Sequence, residues 1–260
     1  AWTKVVQSLA ERHGKQGTVL SASFMNYHAL RALAYGAVDA SARSVNQPGI
    51  HTFDLTGETV SEGGFSHWAD EIVKRHGIVP EAKMPSATYD SQDSELLQNQ
   101  LKRLVAAADR DLWNNQTNKT KKGSAAQRRA IVTKYKQQVD QLLETTIGAP
   151  PKRFTVDGKS YTPRTYRKDY LGINDKDLDF VQLTNDPNRA WNRRYAEFYG
   201  STGTPPNESY NVSLAQMKQA VKKSLDKGIV VDVAVNVDFD NPHRVATREE
   251  PASDANGILS

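Results

Sequence analysis

Residues 62–85 read Glu62-Gly63-Gly64-Phe65-Ser66-His67-Trp68-Ala69-Asp70-Glu71-Ile72-Val73-Lys74-Arg75-His76-Gly77-Ile78-Val79-Pro80-Glu81-Ala82-Lys83-Met84-Pro85. A glycine pair and an aromatic residue lead into a stretch whose apolar members, Trp68, Ala69, Ile72 and Val73, recur at helical spacing. A helix is therefore predicted from Ser66 to His76, with that face buried. Gly77 stands where a helix is capped, and the run Ile78-Val79-Pro80 and the pair Met84-Pro85 come after it. A glycine pair before a helix is an ordinary turn when met alone. The ordered series behind it gives the segment its weight.

Upstream, Trp2, Val5, Val6 and Leu9 share one face of a predicted helix over 2–13, which Gly14 ends. Ser21 is placed to cap a second helix, carried by Phe24, His28, Leu30, Ala34 and Tyr35 as far as Gly36. Residues 41–61 hold Ser, Asn, Pro and Gly and read as a surface loop. Downstream, a helical hairpin is expected. Ser94 caps a first helix through Leu112, residues 114–123 form an exposed loop, and a second helix runs from Ser124 to about Ile147. Gly148 and Pro150-Pro151 make the best domain boundary in the chain.

Beyond that boundary the pattern turns mixed. Phe154–Val156 and Lys159–Tyr161 flank an Asp157-Gly158 turn, a hairpin signal. Thr162-Pro163 caps a short helix, and residues 179–184 alternate as a strand. Ser213 caps a helix through Leu225, and Ile229–Val237 reads as a strand.

Composition narrows the function classes. The chain has 260 residues, enough for one large or two modest domains, and its 38% hydrophobic and 25% charged content is that of a soluble globular protein. No apolar run approaches the roughly 20 residues a bilayer span needs, and no secretory leader pattern opens the stretch given. There is no cysteine, which excludes disulfides, thiolate metal sites and thiol catalysis by these residues as they stand. The six histidines form no i,i+4 pair and no HExxH, so neither a metal site nor a cofactor is expected. Ten of the Lys and Arg residues fall between Lys102 and Lys136 against two acidic ones, Asp109 and Asp111. A basic hairpin over 102–136 could attract a polyanion, but only Trp113 and Tyr135 are aromatic there, too few to interleave as a base-stacking platform, and a solvated helical face is the plainer reading.

The series Leu20-Ser21, Gly63-Gly64, Gly77-Ile78-Val79-Pro80 and Met84-Pro85 resembles the cleft half of papain-like cysteine peptidases. Lys152-Arg153-Phe154-Thr155, Tyr161-Thr162-Pro163 and Thr184-Asn185-Asp186-Pro187 are similar to the bleomycin hydrolase and aminopeptidase C branch of that family. The resemblance covers nearly the whole chain. It implies a papain-like α+β fold with a helical domain over 1–90, a helical hairpin inserted at 91–148, and a β-rich domain over 149–260 that lacks its C-terminal end.

The resemblance also implies peptide hydrolysis by thiolate attack, with peptide as substrate or ligand. It places Ala1, followed by Trp2, where the nucleophilic cysteine and its tryptophan head a helix, so Ala1 reads as a substituted nucleophile position. Gly63 and Gly64 correspond to the glycines that pair with an extended peptide, where a side chain would block backbone approach. Phe65 and Met84 become candidate pocket walls, and Asp232, Val233 and Ala234 could face them. Glu62 becomes a candidate partner for a substrate amino group, although a solvated loop glutamate is the plainer reading. Asn256-Gly257-Ile258 resembles the step before the family's histidine strand. Neither that strand nor the asparagine motif is found within the residues given, and a fragment of a longer protein is expected. His243 lies too far upstream to serve as the general base. A catalytically dead, peptide-binding relative is the alternative. Compartment and oligomeric state, including a homo-oligomer, are left open.

Overall fold

The computed structural model describes residues 2–45, 60, 66–85, 91–117, 123–197 and 207–233. Helix α1 (Trp2–Arg12) buries Val5, Val6 and Leu9 of its predicted face, together with Ala10. Ser21 caps α2 (Ala22–Ser44) by accepting the amide hydrogen of Phe24 at 3.0 Å.

The expected stop at Gly36 does not occur. A helix-interior glycine costs about 1 kcal/mol, while α2 buries residues around most of its circumference, Leu33, Ala34, Ala37 and Val38 among them. Burying each large aliphatic side chain is worth about 1.5–3 kcal/mol. Burial wins, and the helix takes in residues 41–44 of the expected loop. The remainder of that loop, apart from Val45 and Val60, lies outside the described residues.

Helix α3 (Ser66–His76) has the predicted bounds. Val73 is its fully buried apolar residue, with Trp68, Ala69 and Ile72 half-buried. Helices α4 (Ser91–Thr117) and α5 (Ala125–Thr146) form the hairpin. Ser94 is no cap: it lies buried inside α4 and accepts from Gln98 Nε2 at 3.0 Å. Helix α4 begins earlier and runs to Thr117 because Leu97, Leu101, Val105, Ala108 and Leu112 make one continuous buried stripe. Ser124 does cap α5, in a reciprocal capping box with Gln127.

Both hairpin helices pack on α2, which also contacts α3. Their apolar stripes belong to the same core as Phe24, Leu30, Ile78, Phe154, Tyr166 and Leu178. Arg31 of α2 pairs with Asp140 of α5 at 2.6 Å, and Tyr35 donates to the same carboxylate at 2.7 Å. Two of the hairpin's cations are also paired, Lys136 with Asp39 and Lys134 with Asp111.

Strands β1 (Phe154–Val156) and β2 (Lys159–Tyr161) pair antiparallel, Phe154 opposite Tyr161. Positive φ at Asp157 (48°) and Gly158 (74°) gives the turn that suits a two-residue hairpin. Thr162 caps α6 (Pro163–Thr165), which continues as a π-helical turn over Tyr166–Tyr170 and is followed by a 3-10 turn, Asp175–Leu178.

A second sheet has the order β3-β5-β4. Strand β5 (Asn207–Asn211) lies in its middle, parallel to β3 (Gln182–Thr184) and antiparallel to β4 (Arg193–Glu197). The sequence reading finds β3 but misses β4 and β5, whose composition is polar. Their anchor is the buried Asn211. It donates to the carbonyls of Asp186, Arg189 and Ala190 and accepts from the Asp186 amide at 2.8 Å.

Helix α7 (Leu214–Asp226) starts after its Ser213 cap as predicted. Ile229–Val233, the described part of the expected last strand, is not a strand. It has no ladder partner among the described residues, and β-branched composition does not make a strand without one. Asp232 and Val233 are exposed there, and Ala234 lies outside the described residues.

Candidate functional site

The segment that decides the sequence reading is held by a clasp between two stretches of extended backbone. Leu20 bridges Pro80, the Ser21 amide donates to the Val79 carbonyl at 3.0 Å, and the Glu81 amide donates to Val19 at 2.9 Å. Ser21 makes the tightest link. Its buried hydroxyl caps α2 as an acceptor while donating to the Met84 carbonyl at 2.5 Å. One side chain thus fixes both the start of α2 and the position of Met84. The sequence signals Ser21 as a cap only. Its second bond, to a residue 63 positions away, has no local signature.

Met84 is buried in the apolar core beside that clasp. Trp2 is the first residue of α1. Ala1, Glu62, Gly63, Gly64 and Phe65 lie outside the described residues, as do His243 and Asn256–Ile258.

At the C-terminal end of α3 the chain meets α6. The Ile78 amide donates to the Pro163 carbonyl at 3.2 Å, and Arg164 Nε donates to the Arg75 carbonyl. This junction joins the helical part of the chain to the segment beyond the hairpin.

The electrostatics along α3 are unusual. Asp70 is 6% exposed and its Oδ1 has no hydrogen-bond partner. Burial pushes its carboxyl up to about 7; Lys74 opposes the shift, and Glu71 and Asp179 add to it. Lys74 crosses to Asp179 at 2.8 Å, tying α3 to the turn after Leu178. His76 stacks on His28 of α2 at 3.9 Å. Burial, reinforced by neighbouring positive charge, lowers His28 to about 3 and His76 to about 4, so both rings are neutral at pH 7. Spacing along the sequence hides this pair, because the two rings come from different helices.

Elsewhere Arg167 is fully buried and pairs with Asp175 at 2.5 Å. Among the described residues no group of three or more His, Cys, Asp or Glu could hold a metal ion, and no helix is long and apolar enough to cross a membrane.

The arrangement fixes the 79–84 backbone against residues 19–21. It cannot supply a thiolate, since the sequence has no cysteine.

Comparison with known proteins gives the clasp its context. The sequence model of the Peptidase C1-like family matches residues 40–244. Aminopeptidase W of Lactobacillus delbrueckii subsp. lactis is 28% identical over 186 residues, which are 66% of this chain and 40% of that protein. Aminopeptidase E of Lactobacillus helveticus is 28% identical over 149 residues, 52% of this chain and 32% of that protein. The crystal structure of PepW from Lactobacillus rhamnosis superposes with a TM-score of 0.74 at 21% identity, covering 88% of this chain and 54% of that one. The chain therefore spans less than half the length of these two curated relatives. The structural likeness establishes a shared α+β fold.

Proposed function

The chain belongs to the Peptidase C1-like family, and from that premise we propose that it builds the substrate cleft of a papain-like cysteine peptidase of the aminopeptidase C or bleomycin hydrolase type. In this reading residues 1–90 are the helical wall, 91–148 the inserted hairpin and 149–260 the β-rich wall. Gly63 and Gly64 take the substrate backbone as an added strand, which requires that no side chain intervene. Phe65 and Met84 wall the adjoining pocket, with the Met84 backbone fixed by Ser21 Oγ. Glu62 meets the substrate amino group. Trp2 stands next to the position from which the nucleophile would act.

The chemistry of such a cleft is attack by a thiolate on the scissile carbonyl, with a histidine taking and returning the proton. Ala1 has a methyl group where the thiol would be, and a methyl group can neither ionise nor attack. The residues given thus bind a peptide without cleaving it.

The observation that carries the reading is the family match over residues 40–244, which spans the cleft segment, the hairpin and most of the β-rich part. The names of the relatives support attack at the amino terminus.

The test is the reading frame on both sides of Ala1 and Ser260, together with an assay of its full product. A glutamine upstream, a cysteine codon at the Ala1 position and His then Asn downstream are expected. The product should release amino-terminal residues from unblocked peptides and lose this activity on thiol alkylation. A gene that encodes Ala1 and stops at Ser260 overturns the peptidase reading. Peptide binding that Gly64→Val abolishes without changing the Tm would then identify a non-catalytic relative.

A further inference from the structure

Three titratable groups lie on α3 or pack against it, and none of them belongs to the proposed cleft chemistry. Towards the C-terminus His76 stacks on His28, with ring planes 13° from parallel. His28 also meets Phe24 and Tyr27 edge-on, at 4.6 and 5.2 Å, and its buried Nδ1 has no hydrogen-bond partner. The charged groups acting on the pair are Arg31 from α2, Arg75 from α3 and Arg164 from α6. The carboxylate of α5 nearest Arg31, Asp140, is already engaged by it and by Tyr35. A proton on either ring would add a cation to a desolvated site ringed by guanidinium groups. Nearer the N-terminus of α3, Asp70 is buried with one carboxyl oxygen unpartnered. Lys74 and Glu71 of its own helix and Asp179 of the turn after Leu178 act on it.

We propose that α3 is an acid-released latch: acidification charges the stacked His28–His76 pair and undocks the helix from α2, while the buried Asp70 opposes the release. The proton count fixes the sign. Both histidines are depressed in the docked state, so the stability they allow is complete above their ordinary value of 6.5 and is lost as pH falls. The Asp70 carboxyl is raised, so its contribution runs the other way, lost as pH rises towards about 7. Between roughly pH 4.5 and 6 the docked helix holds one proton of the three, on Asp70, and the undocked helix holds two, on the histidines.

Undocking therefore takes up one net proton. Helix α3 runs straight into Gly77–Val79, so its release slackens the bonds from Ser21 to Val79 and Met84. The latch does not depend on the peptidase reading, and either can fail alone.

Hydrogen exchange resolved on α3 peptides, corrected for intrinsic rates, tests it between pH 4.5 and 6. For the chain as it stands, α3 protection should fall about tenfold per pH unit of acidification. Asp70→Asn should steepen this to about a hundredfold, and His28→Phe with His76→Phe, which keeps the stacked rings, should reverse its sign. Protection that is flat with pH, or an unchanged slope in the double variant, overturns the proposal. Should the double variant fail to fold, the ring-proton NMR titration of the unaltered chain decides. Midpoints well below 6.5 for both His28 and His76 support the latch, and a midpoint near 6.5 for either removes it.

Discussion

Gly77 has a φ of +81°, and a Cβ built there would collide with the carbonyl group of Pro163 and the amide nitrogen of Arg164. Left-handed backbone costs an L-residue about 1–2 kcal/mol, and overpacking adds about 1–3 kcal/mol more. Gly77→Ala should therefore destabilise the fold by about 2–5 kcal/mol in urea unfolding. Gly158 has a φ of +74° but opens onto free space, so Gly158→Ala should cost only about 1–2 kcal/mol. Equal costs at the two sites would remove the close approach of α3 to α6 as a constraint. Sequence alone marks both glycines as turn or cap positions. Which of them also admits a neighbouring backbone is settled by contact.

Among the elements, those whose boundaries were readable are the ones with local chemistry at their ends. Ser124, Thr162 and Ser213 each cap the helix predicted for them, and each sits in a reciprocal capping box. Boundaries failed where burial outweighed local preference, at Gly36 inside α2 and Ser94 inside α4. Strands β4 and β5 were invisible because their anchor is the hydrogen bonding of one asparagine rather than an apolar alternation. The hairpin's stability rests on its stripe. Leu101 is fully buried in the core that α4 shares with α2 and α5. Leu101→Ala should cost about 2–5 kcal/mol, measured by urea unfolding. A cost below about 1 kcal/mol would mean that the hairpin does not share that core.

Across the whole molecule, one apolar core runs from Val6 to Leu178. Helix α7 buries no residue among those described, and its Leu225 is 59% exposed. Opening free energies depend on buried apolar contacts. Hydrogen exchange at pH 7 should therefore show α7 amides exchanging well ahead of the central amides of α4 and α5; equal protection would place α7 within the common core. The sequence by itself determined the family, the caps, the hairpin turn and the absence of a thiol, because each is written in a few neighbouring residues or in an ordered series of them. Only the tertiary structure decided that Ser21 holds Met84, that His28 lies on His76 and that Asp70 is buried. Each of those depends on desolvation and on partners from other elements, and a linear pattern carries neither.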